Sequence, residues 1–234
     1  MIMKKTAAIR TLNSLEKIFM NDDNENSRVE FFELQHLYQS AVREVSTKLE
    51  ILDDEFQFIH RRNPIHNMQS RIKTLDSIFG KLTRKELELS IEAAKEHLTD
   101  IAGVRVVCYY IDDIYMIAKM LTLQDDIIVI RETDYIKNPK PNGYRSLHLV
   151  VKVPVFFSDR KEIVPVEIQI RTIAMDFWAS LEHQLKYKAI ETVPPSVVLE
   201  LRECAKNIAE TDLRMQDIYK TIEQYNSYED SMDD

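Results

Sequence analysis

Between Arg71 and Arg84 the chain reads RIKTLDSIFGKLTR. Ser77, Lys81 and Arg84 stand at i, i+4 and i+7, one face of a helix, while Leu75, Ile78, Phe79 and Leu82 supply the other. Arg71 and Lys73 precede that helix and could curl onto its polar side. Such a face offers a hydroxyl and several cationic donors to a polyphosphate. Taken alone, the segment reads equally well as a solvated basic face.

Two further stretches add groups of a different kind. In DIAGVRVV, Asp100 stands just before an apolar strand, where side chains gather at the edge of an open sheet. By itself it is as much a cap or turn former as a metal ligand. Arg105 lies inside that strand and must find a partner or a cleft, and Gly103 permits close backbone approach. In YIKNPKPNGYRSLHLVVKV, a loop with two prolines and a glycine passes into an alternating strand. Leu147, Leu149, Val151 and Val153 fall on one side and Tyr144, Ser146 and His148 on the other. In VEIQIRT the apolar Val166, Ile168 and Ile170 alternate with Glu167, Gln169 and Arg171. If these two strands are sheet neighbours, a carboxylate, an imidazole and an aromatic ring share one cleft. The set suits nucleotide chemistry: an Asp for a metal, a Glu as base, Arg and Lys for phosphates, and a Tyr to stack on a base.

The elements that must position these groups follow from the pattern of the chain. Ser27 with Glu30 forms a capping-box signal. Leu34, Tyr38, Ala41, Val45, Leu49 and Leu52 then recur at helical spacing, so a long amphipathic helix is expected up to RNPI at Arg62–Ile65. Helices are expected within Thr74–Leu82, over Arg84–Leu98 and from Asp112 to about Leu123. Strands are expected at Val104–Ile111, in IIVIRET, in SLHLVVKV and in IVPVEIQIR. A helix follows at AMDFWASLEHQLKYK, and after Pro194–Pro195 a last one runs from Ser196 to about Tyr225. The expected fold class is α/β (α+β), one mixed domain with helices before and after it. The divisions are an N-terminal helical region over 1–62, the central domain over 63–192, a C-terminal helix over 193–226 and an acidic, disordered tail over 227–234.

Composition narrows the classes. The chain has 234 residues, 44% hydrophobic and 30% charged, enough for a substantial core. A formal net charge of −8 argues against general attraction to nucleic acid or an anionic membrane, so any anion must be held by local clusters of Lys and Arg. Two cysteines cannot make a disulfide framework, and no zinc spacing exists. His36, His60, His66, His97 and His183 are scattered and read as surface or packing residues. With three glycines, the chain carries neither glycine-rich phosphate cradle. No segment has signal-peptide or membrane-spanning character, which makes a cytoplasmic protein the expectation.

The order of motifs, R-x-K-x-x-x-S-x-x-x-K-x-x-R, D-I-A-G-x-R, N-G-Y-R-S-x-H and V-E-I-Q-I-R-T with a Trp–Ala helix after it, closely resembles the synthetase domain of the RelA/SpoT family. The match covers about Arg71 to Lys188, and the length suggests a stand-alone small alarmone synthetase. The resemblance implies a nucleotidyltransferase-like mixed β-sheet and transfer of the β,γ-diphosphate of ATP to the ribose 3′-hydroxyl of GDP or GTP, giving ppGpp or pppGpp and AMP. By the same resemblance, Arg71 and Arg105 would sandwich the adenine, and Lys73, Ser77, Lys81 and Arg84 would hold the ATP phosphates. Asp100 would bind Mg²⁺, with Glu167 sharing the metal or acting as base. Tyr144 would stack on guanine, with Asn142 near the base. Lys140 and His148 would lie at the acceptor phosphates, and Gln169 and Ala179 on the acceptor side. A homotetramer built from the helical ends is also implied.

Departures from the family pattern carry expectations too. No HD dipeptide or N-terminal ligand set for the family's hydrolase half occurs, so alarmone degradation is not expected. The long enzymes' regulatory domains are not expected, and neither is ribosome-coupled control. Where some small synthetases use an Asn to bind product at the tetramer's central cleft, the matching position is Asp176. A carboxylate there would repel a pentaphosphate, which speaks against product activation. Two other readings stand beside the synthetase. An RNA-directed nucleotidyltransferase would want a large basic surface that an acidic chain does not advertise. A catalytically silent nucleotide-binding regulator is disfavoured because Asp100 and Glu167 both accompany the basic cluster.

Overall fold

The computed structural model describes residues 25–188 and 194–230. Helix α1 (Glu25–His60) leads into strand β1 (Ile65–Ile72), and helices α2 (Leu75–Arg84) and α3 (Ile91–His97) follow. Next come β2 (Ala102–Cys108), α4 (Ile111–Thr122), β3 (Ile128–Asp134), β4 (Leu147–Phe156) and β5 (Lys161–Thr172). Helices α5 (Ile173–Lys188) and α6 (Pro195–Asp230) close the chain. The five strands form one mixed sheet in the order β1-β2-β5-β4-β3, parallel at β2–β5 and antiparallel elsewhere.

Alternation in the strands decides which face is covered. Val104 and Val106 of β2, Val166, Ile168 and Ile170 of β5, and Leu147, Leu149, Val151 and Val153 of β4 are all buried. They meet Leu34, Tyr38, Ala41, Val45 and Leu49 of α1, whose spacing keeps one stripe against the sheet, and Ile114, Ile117 and Leu121 of α4. Each of the Val, Leu and Ile side chains among them contributes roughly 1.5–3 kcal/mol by leaving water. Burial pushes the Tyr38 phenol up to about 12. The opposite face of the sheet is left for polar groups.

The structure departs from the expected elements at several points. It gives no strand between Arg62 and the helix at Thr74, yet β1 is there, pairing antiparallel with β2 from Ile65↔Cys108 to Ile72↔Ala102. Strand β1 is an edge strand in which only Ile65 is buried, so IHNMQSRI lacks the alternation that marks a half-buried strand. The helix expected over Arg84–Leu98 is shorter. Helix α2 runs on to Arg84, Glu86 takes a left-handed φ of 57°, and Ser90 begins α3 by accepting from the Ala93 N–H at 3.1 Å. Strand β2 ends at Cys108, since Tyr110 is the N-cap of α4. Helix α1 is already formed at Glu25, ahead of the expected cap at Ser27. The C-terminal helix continues to Asp230, into the segment expected to be a disordered tail; 231–234 and residues 1–24 of the expected N-terminal helical region lie outside the described residues. Cys108 is buried and Cys204 exposed, both free.

Candidate active site

Strand register lines up two rows of side chains across the open face. One row runs Gln69, Arg105, Gln169, His148 and Thr133 from β1 to β3. The next runs Arg71, Gly103, Glu167, Val150 and Arg131. The two strands with unusual polar faces, β4 and β5, are therefore neighbours, with His148 directly opposite Gln169. Gly103, between Arg71 and Glu167, leaves the floor open. A Cβ there would sit 3.9 Å from the nearest atoms, so the residue is not forced by crowding.

The half of the cleft nearer β1 centres on Asp100, in the turn that feeds β2. Its Oδ2 accepts from the ammonium of Lys73, and from that of Lys81 at 2.6 Å. Lys81 reaches it from α2, whose N-terminus is capped by Thr74. Lys73 is fixed because its N–H donates to the Ile101 carbonyl at 2.9 Å. Burial would raise the Asp100 pKa, but the hydrogen bonds and charges of the two lysines outweigh it and hold the carboxyl below its ordinary range. Asp100 Oδ1 is buried and has no partner. Gln69, Ser70, Arg71, Lys73, Asp100 and Arg105 line this cavity, which extends to Glu167 and Gln169. Ser77 and Arg84 stand on the exposed side of α2; the Ser77 hydroxyl accepts from Thr74 Oγ1 at 3.0 Å.

The other half is a chain of hydrogen bonds running from Glu167 to the loop before β4. His148 Nδ1 lies 3.7 Å from Glu167 Oε1, and its Nε2 is 2.8 Å from the Tyr144 hydroxyl. Gln169 donates to Glu167 Oε2 at 3.0 Å. The His148 contact, opposed by burial and helped by Gln169, keeps the Glu167 carboxyl below its usual range. Arg171 is nearly fully buried and donates to the Tyr144 hydroxyl at 2.6 Å and to Gln169 Oε1 at 2.8 Å. Its guanidinium lies 5.1 Å from the Tyr144 ring centre. Lys140 stands 4.7 Å from the same centre and 4.5 Å from that of Tyr135.

The loop itself is held by α5 and α6. Asn142 donates to Glu182 at 3.0 Å, while its own carbonyl oxygen accepts from the Tyr144 N–H at 3.2 Å. Gly143 has φ 91°, and a Cβ there would come within 2.5 Å of the Ala205 Cβ. Ala179 is buried with Trp178 and Ala205, against which Tyr144 packs.

Lys73, Lys81, Asp100, Arg71, Arg105, Glu167, Gln169, His148, Tyr144 and Lys140 thus gather on one sheet face, while Ser77 and Arg84 stay at its rim. Ser146, expected on the open face, is fully buried and bonds the Ile170 carbonyl at 3.2 Å. Strand β4 starts only at Leu147, so the strict alternation does not extend back to it. Gln69 and Ser70 went unseen with β1. The alternation puts Arg171 on the polar face without giving it a role, and the sequence gives Glu182 none; the structure has Arg171 bonding Tyr144 and Glu182 bonding Asn142.

The donor set can be tested against a divalent cation. Among the described residues no cluster of three or more His, Cys, Asp or Glu side chains could cage a metal. Asp100 and Glu167 offer two carboxylates close enough for the Asp100 charge to act on Glu167, and one buried Asp100 oxygen lacks a partner. Such a pair fits Mg²⁺, which takes one or two carboxylates and leaves its remaining positions to phosphate oxygens and water.

Residues 70–192 match the family described as "Region found in RelA / SpoT proteins". The chain is 46% identical over 187 residues to the GTP pyrophosphokinase YwaC of Bacillus subtilis, covering 80% of this chain and 89% of that one. It resembles the crystal structure of the small alarmone synthetase 2 of B. subtilis with a TM-score of 0.72 and 44% identity, over 79% of this chain and 96% of the other. The small alarmone synthetase 1 of B. subtilis bound to its product pppGpp matches with a TM-score of 0.72 and 36% identity, over 79% and 94%. With the family match spanning more than half its length, this chain belongs to the RelA/SpoT family, among the small alarmone synthetases.

Proposed function

We propose that the chain is a GTP pyrophosphokinase that moves the β,γ-diphosphate of ATP to the ribose 3′-hydroxyl of GDP or GTP, forming ppGpp or pppGpp and AMP. The observation that carries this reading is the single open sheet face on which a basic half around Asp100 adjoins an aromatic half around Tyr144. The two halves fit two nucleotides.

Arg71 and Arg105 are diagonal neighbours across the β1–β2 pair. Diagonal neighbours lie roughly 7–8 Å apart, room for one planar base between two guanidinium groups. We assign them to the adenine of ATP. Lys73 and Lys81 take its phosphates, exchanging Asp100 for the more highly charged chain, with Ser77 and Arg84 completing the row from the rim. Tyr144 is the platform for guanine. The buried Arg171 holds one side of its ring, and Lys140, on an exposed loop, covers it until an acceptor arrives and then turns to the acceptor phosphates with His148. Asn142, Gln169 and Ala179 shape the acceptor side.

Asp100 and Glu167 would hold Mg²⁺, which neutralises charge on the phosphate oxygens. Glu167, ionised and steadied by Gln169 and His148, would accept the proton of the 3′-hydroxyl and so raise the nucleophilicity of a poor nucleophile. The oxygen then attacks the β-phosphorus and AMP leaves, while Lys73, Lys81 and Arg84 stabilise the developing charge. A nucleotide-chemistry enzyme of this kind needs no membrane, and no helix among the described residues is long and apolar enough to cross one. The same reading includes a cytoplasmic location and a homotetramer.

The test is one reaction: protein, Mg²⁺, ATP labelled at its γ-phosphate, and GDP or GTP, resolved by thin-layer chromatography. Label in a guanosine tetra- or pentaphosphate with release of AMP is the expected result. Label that stays in ATP, with both nucleotides bound, would replace the synthetase by a silent nucleotide-binding regulator.

A further inference from the structure

Arg105 and Arg171 lie on the same open face of neighbouring strands, Arg105 beside Gln169 and Arg171 beside Val107. Both are charged and at least half-buried, and they repel each other. One carboxylate stands between them. Asp176, in the first turn of α5, accepts from Arg171 Nη1 at 3.1 Å, and Arg105 Nη1 lies 3.5 Å from the same oxygen. Burial and the charges of Arg171 and Arg71 lower the Arg105 pKa, and Asp176 acts against them. Arg105 Nε is buried without a partner, so little else fixes this guanidinium. Arg171 in turn donates to the Tyr144 hydroxyl and to Gln169.

We infer that Asp176 is a positioning residue that couples the two nucleotide subsites, through Arg105 to the donor base and through Arg171 and Tyr144 to the acceptor base. The inference rests on the assignment of those subsites proposed above. Without the carboxylate, two like charges face each other across adjacent strands, and the less buried Arg105 swings toward solvent. Arg171 separately loses its own counterion, and with it the charge that orients its guanidinium toward the Tyr144 hydroxyl. Asp176 therefore faces inward, into the site, where its charge is the counterion of two arginines.

Asp176→Asn is the discriminating variant, because an amide oxygen can still accept the hydrogen bond from Arg171 but carries no charge for either arginine. Steady-state kinetics on the full chain should show KM raised on the order of tenfold for ATP and for the guanine nucleotide alike, with kcat less affected. In an Arg105→Ala background the same change should no longer raise KM for ATP, yet should still raise it for the guanine nucleotide. Thermal melting establishes that the variants are folded, and Asp176→Ser repeats the measurements should the Asn variant fail to fold. Unchanged KM values, an effect on only one nucleotide, or additive effects on ATP in the Arg105→Ala background would each overturn the coupling. Wild-type protein that binds AMPCPP and GDP but transfers nothing would instead count against the synthetase reading.

Discussion

At the scale of single residues, Asp100 is held by Lys73 and Lys81, the two lysines proposed to take the ATP phosphates. Asp100→Asn removes the carboxylate proposed to hold Mg²⁺ and leaves Lys73 and Lys81 to a neutral partner, so transfer should fall by three orders of magnitude or more, on the order of 4 kcal/mol in the barrier. The fold should survive, as judged by an unchanged circular dichroism spectrum, since the group lies at the cleft and outside the apolar core. Near-normal turnover would remove Asp100 from the chemistry. Tyr144→Ala should raise KM for the guanine nucleotide by about tenfold or more, the loss of roughly 1–3 kcal/mol of base stacking, with a smaller effect on ATP. Equal losses for both nucleotides would undo the stacking assignment.

The pH dependence belongs to the same scale. Asp100 and Glu167 both have pKa values held below the ordinary carboxylate range in the folded chain. Their contribution to stability is therefore fully present above the unfolded-state values, near about 4, and is lost as pH falls through the lowered folded-state values. An acid titration of the unfolding midpoint should show wild type losing stability below about pH 4, and the Asp100→Asn variant losing less. A midpoint equally sensitive in both would contradict the shift on Asp100.

At the scale of elements, the close approach of α6 to the loop before β4 makes a further prediction. Gly143 has a left-handed φ and no room for a Cβ beside Ala205. Gly143→Ala should cost about 1–2 kcal/mol from the backbone conformation alone and more from the collision. It should also raise KM for the guanine nucleotide, because Asn142 and Tyr144 ride on that loop. A chemical-denaturation midpoint together with acceptor KM checks both. The elements also show where the sequence was readable. Strands β4 and β5 alternate cleanly because one face lies on α1, and their polar faces could be recognised as a site before their pairing was known. Strand β1 could not be read, because an edge strand with one buried residue has no pattern to offer. The break between α2 and α3 was hidden by apolar residues at helical spacing on both sides of it. Glu86, which turns the chain, is not a residue type that announces a left-handed bend.

At the scale of the whole molecule, α6 works as a strap. Trp178 donates to the Leu201 carbonyl at 3.0 Å, Thr172 to Asp212 at 2.6 Å, and the Asp112 N–H to Gln216 at 2.9 Å. Farther along, Tyr219 stacks on Tyr110 at 4.2 Å, and Arg62 lies 4.9 Å from the Tyr219 ring centre. None of these pairings could be read from the sequence, which shows that α6 is a helix but not what it lies against. Tyr219→Ala should lower the thermal midpoint by about 2–4 °C for each kcal/mol lost while leaving both KM values unchanged, since Tyr219 is far along the strap from the cleft. A change in either KM would place that end of α6 in the nucleotide site.

The claim on which all three scales depend is that one cleft joins an ATP diphosphate to a ribose 3′-oxygen. The measurement that tests it most directly compares GDP with 3′-deoxyguanosine diphosphate as acceptor, with ATP labelled at the γ-phosphate and AMP quantified. One AMP should be released for each labelled guanosine tetraphosphate formed with GDP, and no labelled product should form with the 3′-deoxy compound. ADP in place of AMP, or label on the acceptor that lacks the 3′-hydroxyl, would contradict the claim.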